Sequence, residues 1–404
     1  MRDIDGVADV IDASTPDAPH PTTLRARALI PALRDRIATT RELRRLPDET
    51  VRDAHDAGLF GLLLPKELGG DEGGPREFVD VVRALAQGDP SAAWTLSFFI
   101  AHNWVLARWT AEAQDRVFEA DRLPLMAAAT FPPGRAERVP GGYRLNGRWG
   151  YCSGVMNADW VQLVGAVDEH QPARLFLVPR AEVEVPDTWH MAGLKGTGSH
   201  DVVADNLFVP EARTLPDITF LATRHPGTER YSNLSDYDGR DILTLLMPSL
   251  ILGAAEGMMR DYRSRLETKR AAYSSELAGD TEAGRLRYAR ALSRLRAAEA
   301  MLHHVVLQIT TATANGTQPL GEELRAAIKL DCLTVGRLAR ESIDAVVRGS
   351  GASIFRAGDP AQHILQDVEI MLNHLTIDED GMTARAAEVL LDRPLPPNTA
   401  RVFT

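Results

Sequence analysis

Cysteine is nearly missing from this 404-residue chain. Cys152 and Cys332 are the only two, which excludes a disulfide framework and a thiolate zinc site. Basic charge is in deficit: 45 Lys and Arg stand against 56 Asp and Glu, a net charge of −11. That excludes nucleic acid as the main partner. No apolar run in the sequence reads as the ~20 residues a bilayer requires. The acidic start Met1-Arg2-Asp3-Ile4-Asp5 is unlike a signal or transit peptide, so a reducing cytoplasm is the expected location. Common catalytic signatures are also missing: no P-loop, no GxSxG, no HExxH and no GxGxxG. What remains is an ordinary globular composition, 44% hydrophobic and 25% charged. The length suits two or three domains at roughly 150 residues each.

The pattern changes three times along the chain. Residues 1–20 are rich in Asp, Ala and Pro without periodicity and read as a loose leader. Residues 21–123 read as helices, with Leu24, Ala28, Leu29 and Leu33 recurring at helical spacing. Pro47-Asp48-Glu49 marks a helix start and Gly58 a stop. Residues 124–230 read as a β domain. Gly141-Gly142 signals a hairpin, followed by alternating Tyr143, Leu145, Gly147 and Trp149, and by short apolar runs from Trp160, Arg174 and Leu207. Residues 231–404 return to helices. Arg285 to Thr313 has no Pro or Gly, and Glu322 to Arg348 has only Gly336. Helices this long suit a bundle. The fold class is α+β, in the order helices, β domain, helices.

Three places carry chemistry. Trp149-Gly150-Tyr151-Cys152-Ser153-Gly154 ends a strand with small residues beside glycine, which allows backbone to approach a flat ligand. Cys152 itself reads as a packed small residue. Thr197-Gly198-Ser199 offers two hydroxyls in the glycine-rich run Gly193 to Ser199. That run lies between strands, so it implies no phosphate-cradling helix N-terminus. His102 and His374, read alone, fit a structural histidine better than a catalytic one. His303 and His304 are neighbours that point ~100° apart on a helix and do not chelate together. The polar stretch Thr219 to Asp241, with Tyr231 and Tyr237, reads as a pocket lid.

In this order, the segments resemble the acyl-CoA dehydrogenase fold from about Leu24 to Leu391. Gly141 to Trp149, Cys152-Ser153-Gly154, Trp189 to Ser199 and Phe208-Val209-Pro210-Glu211 carry the likeness. Ser153-Gly154 and Thr197-Gly198-Ser199 resemble the flavin-dependent monooxygenase branch, which includes p-hydroxyphenylacetate hydroxylase oxygenases, dibenzothiophene monooxygenases and amino-sugar N-oxygenases. The resemblance implies an N-terminal helical domain, a middle β-barrel or sandwich and a C-terminal four-helix bundle, assembled as a homotetramer. It implies reduced FMN or FAD delivered by an NAD(P)H:flavin reductase, and O2 activated as a C4a-(hydro)peroxyflavin to oxygenate a small aromatic, polyketide or amino-sugar substrate.

The resemblance also assigns roles. Ser153 hydrogen-bonds the flavin near N5, Trp149, Gly154, Thr197, Gly198 and Ser199 line the ring, and His374 sits over the oxygen-reacting face. His102 reaches the substrate as a base. Thr130 is a substrate contact in place of the serines that some phenol hydroxylases carry before their Pro-x-Gly turn. The dehydrogenases place a catalytic Glu where this chain has Asn373-His374-Leu375-Thr376, with Glu379 and Asp380 nearby. Their Arg-x-x-Phe-Gly signature is absent around Lys269 to Ala283. An FAD-dependent acyl-CoA dehydrogenase or oxidase and a non-catalytic scaffold of the same fold stay as alternatives.

Overall fold

The computed structural model describes residues 18–118, 122–168, 173–216, 225–231, 236–271, 275–317, 319–356 and 358–393. All but the last three residues of the leader therefore lie outside the described residues, as does part of the stretch read as a lid.

The first region holds α1 (Pro21–Asp35), α2 (Ile37–Leu43), α3 (Asp48–Asp56), α4 (Pro75–Ala86), α5 (Pro90–Leu106) and α6 (Ala111–Val117). Helix α3 begins directly after Pro47, with Asp48 and Glu49 in its first turn, where carboxylates meet the positive end of the helix dipole. Helix α5 is started by Asp89, whose side chain accepts from the Ser91 N–H at 3.0 Å, and by Pro90 at the first helical position. Its sequence is apolar on nearly every face, which places it in the core. Of its 17 residues, all are buried except Phe98 and His102.

The middle region is β1 (Met126–Val139), β2 (Gly142–Cys152), β3 (Trp160–Ala166), β4 (Arg174–Pro179), β5 (His200–Pro210) and β6 (Thr214–Leu215). The expected middle β domain is built as one mixed sheet in the order β5-β2-β1-β3-β4-β6, organised around β1. It pairs with β2 through the Gly141-Gly142 hairpin and with β3 in parallel on its other edge, so a single sheet takes up all six strands. Tyr143, Leu145, Trp149, Val161, Leu163 and Phe176 fill its own small core.

The last region is α7 (Gly239–Thr244), α8 (Leu246–Thr268), α9 (Glu282–Ala314), α10 (Glu322–Ser350), α11 (Pro360–Leu372) and α12 (Glu379–Leu390). Helices α8, α9 and α10 pack on one another, α11 and α12 close the group, and α4 packs on α8. The Gly239–Thr268 stretch is long and apolar enough to cross a membrane by length and composition. This differs from the expectation from the sequence. In the fold, 83% of that apolar window is buried, so it serves as the bundle's inner helix. The acids of the supposed lid are structural as well: Asp238 pairs with Arg240 at 2.9 Å, and Asp241 with Arg325 at 3.0 Å. Tyr231 is buried.

The α4–α8 contact depends on Gly253. A Cβ there would lie 2.4 Å from the Arg83 carbonyl oxygen, which is backbone and cannot rotate away. Beside it, Arg83 bridges Glu256 of α8 and Glu299 of α9, the latter at 2.7 Å. Gly253→Ala is expected to cost about 1–3 kcal/mol through overpacking, read as a lower denaturation midpoint with unchanged helical content.

Candidate functional site

Helix α5 organises the site. Trp94, Phe98 and His102 are four residues apart and share one face. The Trp94 and Phe98 rings lie 5.4 Å apart between centroids, and Phe98 and His102 5.2 Å. The turn after α11 adds a fourth ring: His374 meets Trp94 edge-on at 5.4 Å and 79°. His374 is therefore not on a helix but just beyond one, in the turn that leads to α12.

The same Trp94 reaches the β domain. Its Nε1–H donates to Ser153 Oγ at 3.0 Å. Ser153 Oγ and Ser199 Oγ are 2.8 Å apart, Ser199 Oγ and Thr197 Oγ1 2.7 Å, and Thr197 Oγ1 donates to the Leu194 carbonyl at 2.8 Å. The direction of this chain follows from its ends. A carbonyl only accepts and an indole N–H only donates. The Thr197 proton is thus committed to Leu194, the Ser199 proton to Thr197, and the Ser153 proton to Ser199. Ser153 is left with no proton to offer the site and one lone pair free to accept. Thr197 and Ser199 are buried, while Ser153 keeps accessible surface. They stand behind Ser153 and fix its rotor, in place of the ring-lining role the sequence suggested.

The two histidines are held as opposite tautomers. His102 Nδ1 lies 2.8 Å from the Met126 carbonyl, so Nδ1 carries the proton and Nε2 is the acceptor. His374 Nδ1 receives the Thr376 N–H at 3.4 Å and lies 2.8 Å from Thr376 Oγ1. It is the acceptor there, and the proton sits on Nε2. Burial pushes both imidazoles down to about 4, with Lys329 adding to the effect at His374. Both rings nevertheless retain some accessible surface, the condition of side chains that line a concavity.

Several other residues take places the sequence did not give them. Trp149 is fully buried in the β core, with its Nε1–H on the Val164 carbonyl at 2.8 Å. It lies against Gly134, where a Cβ would come within 2.3 Å of its ring, so it does not line a cofactor site. At Gly154 (φ 77°) and Gly198 (φ 51°) the missing Cβ makes room for protein. It would meet the Phe99 ring at 2.7 Å and the Arg44 carbonyl at 2.8 Å, respectively. These glycines seat the β loops on the helical domain. Thr130 is exposed at an irregularity of β1, apart from the hydrogen-bonded chain. Cys152 is buried, as expected. No cluster of His, Cys, Asp or Glu among the described residues could hold a metal ion.

Sequence reasoning missed Trp94, Phe98, Thr376 and Asp367. The first two had a legible signal, an aromatic every four residues running up to His102. Asp367 of α11 accepts from the Leu194 N–H at 2.6 Å and pairs with Arg41 at 3.2 Å. It thereby fixes the peptide that ends the hydroxyl chain. Burial raises its carboxyl to about 6, against the pull of Arg41.

Comparison with known proteins gives the family. Residues 26–121 match the acyl-CoA dehydrogenase N-terminal domain and residues 245–379 the acyl-CoA dehydrogenase C-terminal domain. A pigment production hydroxylase of Rhodococcus sp. is 33% identical over 375 residues, covering 92% of this chain and 96% of that protein. The flavin-dependent monooxygenase oxygenase subunit HsaA of Rhodococcus jostii is 32% identical over 365 residues, covering 88% and 94%. The chain belongs to the flavin-dependent monooxygenases of the acyl-CoA dehydrogenase superfamily. A crystal structure of 3-HSA hydroxylase from Rhodococcus sp. RHA1 superposes on this monooxygenase fold with a TM-score of 0.85 at 29% identity, covering 93% of this chain and 98% of that one.

The carboxylates that follow His374 in sequence do not turn inward beside it. Glu379 and Asp380 are exposed, and Glu379 lies 3.8 Å from Arg337. His102 and His374 are expected to stay neutral in an NMR titration until about pH 4. Titration of either near its ordinary value would contradict the enclosed site.

Proposed function

We propose that this chain is the oxygenase component of a two-component monooxygenase that hydroxylates an ionisable aromatic substrate. The observation that carries the reading is the window in α5. A helix buried along its whole length opens only at Phe98 and His102, and the ring stripe through this window joins Ser153 to His374.

The residues present fit a flavin. A flat ring with an N–H needs an acceptor, and Ser153 is held as one. It also needs apolar surface, and Tyr151 (76% exposed), Met156 and Leu375, neighbours in sequence of Ser153 and His374, are large apolar side chains turned outward. Bound reduced flavin supplies the electrons that activate O2 for transfer of one oxygen atom. The remaining work belongs to the chain. Ser153 accepts a ring N–H and keeps that proton in place. His374 Nε2–H donates toward oxygen that carries negative charge, the logic of an oxyanion hole. His102 Nε2 accepts a hydrogen bond from a substrate hydroxyl and holds it in place. Phe98 gives an aromatic substrate a ring surface to lie against.

A separate NAD(P)H:flavin reductase supplies the reduced flavin in this reading, and the chain assembles as a homotetramer. The exposed Leu286 and Leu307 of α9 support the assembly, because apolar side chains on a long helix are covered when bundles pair.

The test is the ratio of hydroxylated product to hydrogen peroxide with an aromatic phenol and excess reductase. Ser153→Ala is expected to lower the ratio several-fold, since one hydrogen bond is worth about 0.5–1.5 kcal/mol. His374→Ala is expected to lower it further, with flavin binding little changed. Wild-type coupling in both variants, or turnover of an acyl-CoA with an electron-accepting dye, would overturn the reading.

A further inference from the structure

Lys329 stands out as a cation without a carboxylate. It lies on α10 with its stem half-buried. Its Nζ donates to Thr244 Oγ1 of α7 at 2.8 Å and to the Thr376 carbonyl at 3.4 Å. No acid pairs with it among the described residues. Asp331, two residues on, interacts with His304 of α9. Burial lowers the Lys329 ammonium from its ordinary value, and Cys332 is the group that opposes this. Keeping an unmatched charge in such a place is costly, and perturbed groups of this kind gather at functional sites.

The second hydrogen bond shows what the charge is next to. Thr376 is the residue whose N–H and hydroxyl hold His374 Nδ1. Lys329, Thr376 and His374 thus form one connected series, from α10 through the turn to the ring that meets Trp94. The groups around His374 are Trp94 from α5, Thr376 from its own turn and Lys329 from α10. Of these only Lys329 is charged. Asp378, Glu379 and Asp380 are exposed. Asp378 caps α12 through the Gly381 N–H at 3.0 Å, and Glu379 lies beside Arg337.

We propose that Lys329 is a positioning residue for His374: its ammonium anchors the Thr376 carbonyl, and through that turn it holds the imidazole with Nδ1 on the Thr376 N–H. This rests on the reading of His374 as the donor on the oxygen side. The physical link is the second ring nitrogen. An imidazolium carries a proton on both nitrogens. Protonation at Nδ1 would set Thr376 N–H against Nδ1–H and leave the Thr376 hydroxyl as the one acceptor beside it, so the present orientation would lose one of its two contacts. A fixed positive charge nearby disfavours that second proton and so protects the orientation as pH falls.

The test separates this role from overall folding. In the flavin-free full chain, the His374 titration is followed by NMR in wild type, Lys329→Met, Lys329→Gln and Lys329→Arg. The Met and Gln variants are expected to raise the His374 pKa by about one unit, tenfold in the imidazolium-to-imidazole ratio at a given pH. Lys329→Arg is expected to keep the wild-type value. Gln retains a donor for Thr376, so it serves where Met does not fold. With reductase and substrate, the product-to-peroxide ratio of the uncharged variants is expected to fall several-fold toward about pH 5, while wild type and Arg stay level. An unmoved His374 titration in both uncharged variants would overturn the proposal. A moved titration in a chain without monooxygenase activity would support the Lys329–His374 link and overturn the functional reading alone.

Discussion

The site depends on the repeat of one helix. An α-helix returns to the same face about every 3.6 residues, so Trp94, Phe98 and His102 form a line and not a scatter. The rest of α5 is buried between the sheet and the bundle, which fixes the direction in which that line faces. Trp94 is the crossing point. Its N–H ends on Ser153 from the β domain, and its ring edge meets His374 from the C-terminal region. Three parts of the chain, distant in sequence, meet because a single indole touches two of them.

Hydrogen-bond direction does the second half of the work. The hydroxyls of Ser153, Ser199 and Thr197 could rotate freely in isolation. They do not, because the chain ends on the Leu194 carbonyl, and the Leu194 peptide is held by Asp367 and Arg41 from the two helical regions. The histidines follow the same rule. A carbonyl below His102 and an N–H below His374 select opposite tautomers, so one ring accepts and the other donates. Burial then keeps both neutral. Position, proton placement and charge state are all set by the backbone around the site before any ligand enters.

Much of the architecture was legible in the sequence. The order helices, strands, helices is that of the fold, and Pro47, Gly58 and the Gly141-Gly142 turn are boundaries in the fold as they are in the sequence. Ser153 and His374, named through the resemblance, both touch Trp94, and His102 lies two turns further along the same face of α5. Trp149 was misplaced because an aromatic at a strand end looks alike whether it faces a ligand or a neighbouring strand. The glycines beside Ser153 and Ser199 gave a true signal of close approach, but what approaches is Phe99 and Arg44. Asp367 and Lys329 could not be read at all. Their meaning comes from contacts with Leu194 and Thr376, over 173 and 47 residues of chain, which no local pattern records.

The alternatives now differ in what they require of these residues. A dehydrogenase needs a carboxylate where His374 stands, and a silent scaffold has no need of a polarised hydroxyl chain or of two half-buried neutral histidines. The most direct measurement is a crystal structure of the chain with reduced flavin under anaerobic conditions. The account predicts the flavin ring with its N5 within hydrogen-bond reach of Ser153 Oγ, His374 Nε2 facing the ring, and the Ser153–Ser199–Thr197 chain intact. A flavin bound away from Ser153, or a Ser153 hydroxyl rotated out of that chain, would contradict it.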